Sequence, residues 1–293
     1  MKEIVILSGK GGTGKTTVSS SLAALIENTI AVDCDVDGSN MPIAMGAKVK
    51  SAQGFFGMLR VEVDSEICDR CGICSELCRF GAINPPIVDL SACEGCMVCM
   101  DHCPTSAIKP INVPSGKWLV SETAWCTMVH ARLDPGEENS GKLVNRVRVE
   151  ARKICPENGF LIVDGPPGIG CPTISSMTGC DLVVIVTEPS AVSLHDSGRL
   201  LKLARHMGIM TVSVSNKYDL SYEMNLKIED FMRANGVGIC GRVRFSDAIP
   251  RMQGSGRPPI TAKGFAVVDD LLSVCLNIMD IAAGVEGYAM RRI

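Results

Sequence analysis

Glu3-Ile4-Val5-Ile6-Leu7 runs into Gly9-Lys10-Gly11-Gly12-Thr13-Gly14-Lys15-Thr16, and a segment of helical length follows. An apolar strand, a glycine-rich turn and a helix in that order surround a phosphate with backbone N–H groups and a helix N-terminus. Gly11, Gly12, Thr13, Gly14 and Thr17 would line the loop. Lys15 would reach the β- and γ-phosphates, and the Thr16 hydroxyl would meet Mg²⁺. The plain alternative is a glycine-rich turn without a ligand, and the strand–loop–helix order argues against it.

Working outward, short Val/Ile/Leu-rich runs alternate with helix-length segments. Strands are expected at 3–8, 29–33, 117–121, 160–164, 181–187, 210–215 and 239–243. Helices are expected at 15–27, 141–154, 193–207, 221–235 and 264–282. Continuous apolar strands separated by helices imply a mostly parallel sheet covered on both faces, hence an α/β P-loop NTPase fold. Residues 61–114 break the alternation: they are rich in cysteine and proline and carry no long periodic helix. Because the alternation resumes at Trp118, this stretch reads as an insert, with 1–60 and 115–293 forming one discontinuous ATPase domain.

Composition narrows the function classes. A net charge of −3 argues against a nucleic-acid surface, which needs a basic face. No apolar run reaches the roughly 18 residues of a membrane span, and the chain enters a strand at once, so no membrane insertion and a cytoplasmic location are expected. Fifteen cysteines in a reducing compartment point to metal rather than to disulfides.

Eight of those cysteines form two runs, Cys68-x-x-Cys71-x-x-Cys74-x-x-x-Cys78 and Cys93-x-x-Cys96-x-x-Cys99-x-x-x-Cys103-Pro104, offset by about 25 residues. These are bacterial ferredoxin runs, in which the fourth cysteine of each ligates the other [4Fe–4S] cluster. Cys68, Cys71, Cys74 and Cys103 are thus expected on one cluster, and Cys93, Cys96, Cys99 and Cys78 on the second. The first run ends in Cys78-Arg79 instead of Cys-Pro, which leaves the ligand count intact. Structural zinc is the alternative, but tandem three-plus-one runs are specific for ferredoxins. The insert therefore reads as a small α+β ferredoxin-like domain.

The early lysine in Lys10-Gly11-Gly12-Thr13-Gly14-Lys15-Thr16 resembles the deviant Walker A motif of the MinD/ParA/nitrogenase-iron-protein superfamily. That resemblance implies a homodimer sandwiching two ATP molecules, with Lys10 acting on the partner's nucleotide. Val32-Asp33-Cys34-Asp35-Val36-Asp37 looks like switch I, which would make Asp35 the residue that helps place the attacking water. Leu161-Ile162-Val163-Asp164-Gly165-Pro166-Pro167-Gly168 looks like Walker B running into switch II, with Asp164 holding Mg²⁺ through water and Gly165 near the γ-phosphate. The plain alternative for both aspartates is a strand-end turn. Asn216-Lys217-Tyr218-Asp219 read alone suggests guanine recognition, or simply the turn before a helix. In the superfamily an asparagine here contacts adenine, and ATP is the favoured nucleotide.

Cys171 lies where the nitrogenase iron protein has a cluster ligand, but the stretch matching that protein's second ligand, 135–142, has Asn139. A bridging cluster is therefore not expected, and Cys171 reads mainly as a small packing residue near switch II. Cys34, Cys126, Cys155, Cys180, Cys240 and Cys275 read as core. The leading expectation is an ATPase that couples dimer switching to electron transfer from two [4Fe–4S] clusters to a redox metalloprotein acceptor. A heterodimer with a homologous ATPase stays open. The second expectation is a metal-cluster assembly or carrier ATPase, against which stands the lack of a C-x-x-C pair after residue 103.

Overall fold

The computed structural model describes residues 1–137, 140–284 and 287–291. In chain order the strands are β1 (Lys2–Ser8), β2 (Thr29–Asp33), β3 (Lys48–Phe55), β4 (Leu59–Val63), β5 (Ile83–Asn84), β6 (Ile87–Val88), β7 (Ile108–Asn112), β8 (Gly116–Glu122), β9 (Thr127–Leu133), β10 (Phe160–Pro167), β11 (Leu182–Thr187), β12 (Met210–Asn216) and β13 (Gly238–Val243). The helices are α1 (Lys15–Leu25), α2 (Met41–Ala44), α3 (Ile73–Leu77), α4 (Val98–Asp101), α5 (Ser140–Ile154), α6 (Cys171–Met177), α7 (Ala191–His206), α8 (Tyr222–Ala234), α9 (Ala248–Gly254) and α10 (Ala266–Ala283).

Nine strands form one sheet in the order β13-β12-β11-β1-β10-β2-β9-β8-β3. From β13 across to β9 every neighbour is parallel. The central strands are buried along their whole length, β11 at all of Leu182–Thr187, which is why they read as unbroken apolar runs. Aliphatic side chains from β1, β10, β11, α1 and α10 fill one side of the sheet, with Ile4, Ile162, Val184, Leu22 and Leu271 at its centre. The expected helix 15–27 stops at Leu25, because Ile26 turns extended and bridges to Met290.

Two compact units divide the chain. One comprises Met1–Ala52, Trp118–Arg132 and Ser140–Ile293; the other comprises Gln53–Lys117 and Leu133–Asn139. The second unit is wider than the cysteine-rich stretch 61–114, because the chain beyond both ends of that stretch folds with it. It holds the antiparallel pairs β4–β7 and β5–β6 and a core of Val61, Ala82, Ile83, Ile108 and cysteines. Glu137 joins this unit through a two-oxygen ion pair with Arg60, both contacts at 2.8 Å.

The sequence repeat of this unit is also a backbone repeat. Arg70, Gly72 and Gly81 have left-handed φ, and so do Gly95, Met97 and Ser106, each 25 positions later. Ala82 N–H donates to Cys78 Sγ at 3.4 Å, and Ala107 N–H to Cys103 Sγ at 3.3 Å, with the same offset. Two copies of one loop–helix–turn therefore present their cysteines on equivalent backbone.

Candidate functional site

The glycine-rich loop joins β1 to α1 at the carboxyl end of the sheet, where open parallel sheets bind ligands. It borders a cavity of about 770 Å³ lined by Gly11, Gly12, Gly14, Lys15, Thr16, Thr17, Asp35 and Asn216. Every one of these was singled out from the sequence. Thr13 is fully buried just beneath, with its hydroxyl unpaired. Gly14 has φ +97, and a Cβ there would lie 2.1 Å from Asn216 Nδ2, so only glycine fits without displacing that side chain.

Lys15 is largely buried and lies within electrostatic reach of Asp35 and Asp164. Thr16 donates its hydroxyl to Asp164 Oδ2 at 2.6 Å, while Asp164 Oδ1 is buried without a partner. Gly165 presses against β1, where a Cβ would meet Leu7 Cδ2 at 2.4 Å. A hydroxyl, a carboxylate with an unused oxygen and the neighbouring Asp35 form an all-oxygen donor set that suits Mg²⁺.

Asp33 and Asp164 are register partners on β2 and β10, and both are fully buried or nearly so. Burial raises both carboxyls well above the usual range. Asp33 is pushed further by Asp164, and at Asp164 the Lys15 ammonium opposes the rise. Asp33 was not singled out from the sequence. It accepts from Asp35 N–H (3.0 Å), Ser39 Oγ (2.8 Å) and Met41 N–H (3.1 Å), so it fixes the loop that carries Asp35. Asp35 itself is half-buried, and burial raises its carboxyl while Lys15 opposes.

Asn216 donates from Nδ2 to the Thr13 carbonyl at 2.7 Å, and its Oδ1 is buried and unpaired. Asp219 is absent from the cavity wall, and its Oδ1 accepts the Phe245 N–H at 2.7 Å. The guanine reading of Asn216-Lys217-Tyr218-Asp219 therefore loses its base-recognising carboxylate. Arg244, Phe245, Ile249 and Pro250 form a further wall that sequence reasoning missed. Their only signal is position just after β13, at the same end of the sheet.

Cys68, Cys71, Cys74 and Cys103 line one small cavity in the second unit, together with Pro85, Pro104 and Ile108. Residues from opposite ends of the two runs thus converge, in the three-plus-one grouping read from the sequence. Cys78, Cys93 and Cys99 sit in or against the core of the same unit, and Cys96 is exposed. Among the described residues no three metal-binding side chains converge as one ion requires. Four thiols lining one cavity are a donor set that suits a thiolate-bound metal group.

Cys171 corrects the sequence expectation: it is exposed at the start of α6, not packed. Cys155 is half-exposed, whereas Cys34, Cys126, Cys180, Cys240 and Cys275 are buried as expected. Asn139, on which the comparison with a bridging-cluster ligand turned, lies outside the described residues. Among those residues no helix is long and apolar enough to cross a membrane.

Comparison with known proteins agrees with this geometry. The family model described as "CobQ/CobB/MinD/ParA nucleotide binding domain" matches residues 4–260. The protein MJ0578 of Methanocaldococcus jannaschii is 38% identical over 73% of this chain and 78% of its own length. An iron-sulfur cluster carrier protein of Pyrococcus furiosus is 26% identical over 72% of this chain and 60% of its own. Among solved structures, the septum site-determining protein MinD of Pyrococcus horikoshii, complexed with Mg-ADP, superposes with a TM-score of 0.62 at 16% identity, over 98% of each chain. At that identity the likeness shows the fold alone.

Proposed function

We propose, for a chain that belongs to the CobQ/CobB/MinD/ParA family of nucleotide-binding domains, that ATP binding and hydrolysis drive a dimer switch coupled to electron donation from two [4Fe–4S] clusters. The observation that carries this reading is the pairing, in one chain, of a phosphate-loop cavity with a separate unit whose Cys68, Cys71, Cys74 and Cys103 surround one cavity.

In this reading the loop N–H groups and Lys15 hold the β- and γ-phosphates, while Thr16 and Asp164 hold Mg²⁺. Asp35 orients the attacking water. The buried, unpaired Asn216 Oδ1 is an acceptor suited to the adenine amino group. Lys10 of one subunit stabilises the developing charge on the other subunit's nucleotide. Bound clusters would supply one-electron carriers, held by Cys68, Cys71, Cys74 and Cys103 and by Cys93, Cys96, Cys99 and Cys78. Backbone N–H bonds to Cys78 and Cys103 Sγ would help set their potentials. The acceptor is a redox metalloprotein, and coupling to ATP must be reciprocal.

A second reading, cluster assembly or delivery, is favoured by the similarity to a protein named an iron-sulfur cluster carrier. Anaerobically reconstituted protein, reduced and mixed with MgATP and an oxidised redox dye, separates the two. Donation bleaches the reduced-cluster signal faster with MgATP while iron stays with the chain. Movement of iron to an apo-ferredoxin included in the mixture, without faster dye reduction, would establish delivery instead.

A further inference from the structure

One carboxylate beside the phosphate loop serves two lysines. Glu188 directly follows β11, and its side chain is only 16% exposed. Oε1 lies 2.5 Å from Lys10 Nζ, and Oε2 lies 2.9 Å from Lys217 Nζ. Lys217 also donates to the Gly12 carbonyl at 2.8 Å, so it spans from Glu188 to the loop itself. Lys217 has φ 55, a left-handed backbone that a residue with a Cβ keeps only where its surroundings hold it. The Glu188 N–H donates to Ser193 Oγ at 3.1 Å and its carbonyl accepts from Ser190 N–H at 2.7 Å, so the carboxylate sits on fixed backbone.

We propose that Glu188 is a positioning residue that holds Lys10 inside its own subunit until the phosphates of a partner's nucleotide compete for it, and so sets the nucleotide requirement for dimerisation. The inference rests on the reading that Lys10 acts across a dimer.

The two-to-one arrangement is what makes the release workable. A largely buried carboxylate stripped of its only cation is costly. Here Lys10 leaves and Lys217 stays, so Glu188 keeps a partner throughout. Departure of Lys10 also relieves repulsion between the two ammonium groups. The competing ligand must carry enough negative charge to draw Lys10 from a close ion pair. A triphosphate offers more charge than a diphosphate, so the contact discriminates between them.

The test is self-association of the reconstituted holoprotein, followed by sedimentation velocity with MgADP or with Mg²⁺ and a non-hydrolysable ATP analogue. Glu188→Gln is expected to lower the concentration for half-dimerisation with MgADP by roughly two- to fivefold, the scale of a partly exposed ion pair. Lys217→Met makes Lys10 the sole cation of Glu188 and is expected to raise that concentration with the ATP analogue by a similar factor, with nucleotide saturation checked by fluorescence. Opposite shifts support the latch, since general damage would weaken both dimers. Shifts in the same direction overturn it. Lys10→Ala separates the two levels: if it dimerises like wild type, the cross-dimer reading fails. If it weakens the dimer while Glu188→Gln changes nothing, the latch alone fails.

Discussion

Binding of MgATP at the phosphate loop should expel protons from the carboxylates beside it. Asp33 and Asp164 face each other across β2 and β10 in full burial, and both carboxyls are raised by burial and, for Asp33, by its neighbour's charge. The unfolded chain has ordinary carboxyls with a reference value of 3.8. A raised native value means that the native state binds more protons than the unfolded chain. Stability is then full below the ordinary value and falls as pH rises through the raised values. Each retained proton gives a slope of up to about 1.4 kcal/mol per pH unit. Mg²⁺ held by Thr16 and Asp164 would favour the carboxylate, so MgATP binding should release protons and strengthen by up to about tenfold per pH unit in the same range. Titration calorimetry of the apo-nucleotide protein near pH 6.5, in buffers of differing ionisation heat, reads this directly. With the Asp164 carboxyl raised to about 6, release of roughly a quarter of a proton per chain is expected at that pH, growing toward one proton as the pH is lowered to about 5. Binding heats that do not depend on the buffer, together with stability that stays flat or rises between pH 5 and 8, would refute the reasoning. Asp164→Asn should remove most of the release.

Other perturbations follow from single contacts. Gly14→Ala forces a Cβ toward Asn216 Nδ2 at an unfavourable φ, so it should cost about 1–3 kcal/mol in stability and weaken nucleotide binding, measured by denaturation and fluorescence. Arg148 pairs with the almost fully buried Glu3 at 2.6 Å and donates to the Thr178 carbonyl at 2.9 Å, so Arg148→Ala leaves Glu3 with Arg152 as its remaining cation and the Thr178 carbonyl without this donor. A loss of about 2–3 kcal/mol is expected by urea denaturation, and a loss under 1 kcal/mol would contradict the contact's role. Cys74→Ser should remove iron equivalent to one cluster per chain while ATP binding persists, by iron assay and calorimetry.

The strands that were legible are those buried on both faces, since burial on both sides writes an unbroken apolar run. β9 was missed because His130 and Arg132 interrupt it; His130 is nonetheless buried, paired with Ser121 Oγ at 2.8 Å and held neutral by burial, with its imidazole pushed down to about 4. β3 was missed for the opposite reason: it is an exposed edge strand that shows no apolar face. α7 begins earlier than expected because Ser190 caps it, accepting the Ser193 N–H at 3.2 Å. In the site, motif residues were legible because phosphate chemistry dictates their type and spacing. Asp33 and Glu188 were not, because each acts through another residue: one on the loop of Asp35, the other on Lys10. Both lie at or just past the carboxyl ends of parallel strands, which is the signal that could have marked them.

The central claim is that nucleotide state and redox state are energetically linked in one molecule. EPR-monitored redox titration of the anaerobic, reconstituted protein, with and without MgATP, tests it most directly. The expected result is a shift in the potential of at least one cluster on adding MgATP, with iron fully retained, and no shift in Lys15→Ala. Potentials that coincide with and without saturating MgATP would contradict the account.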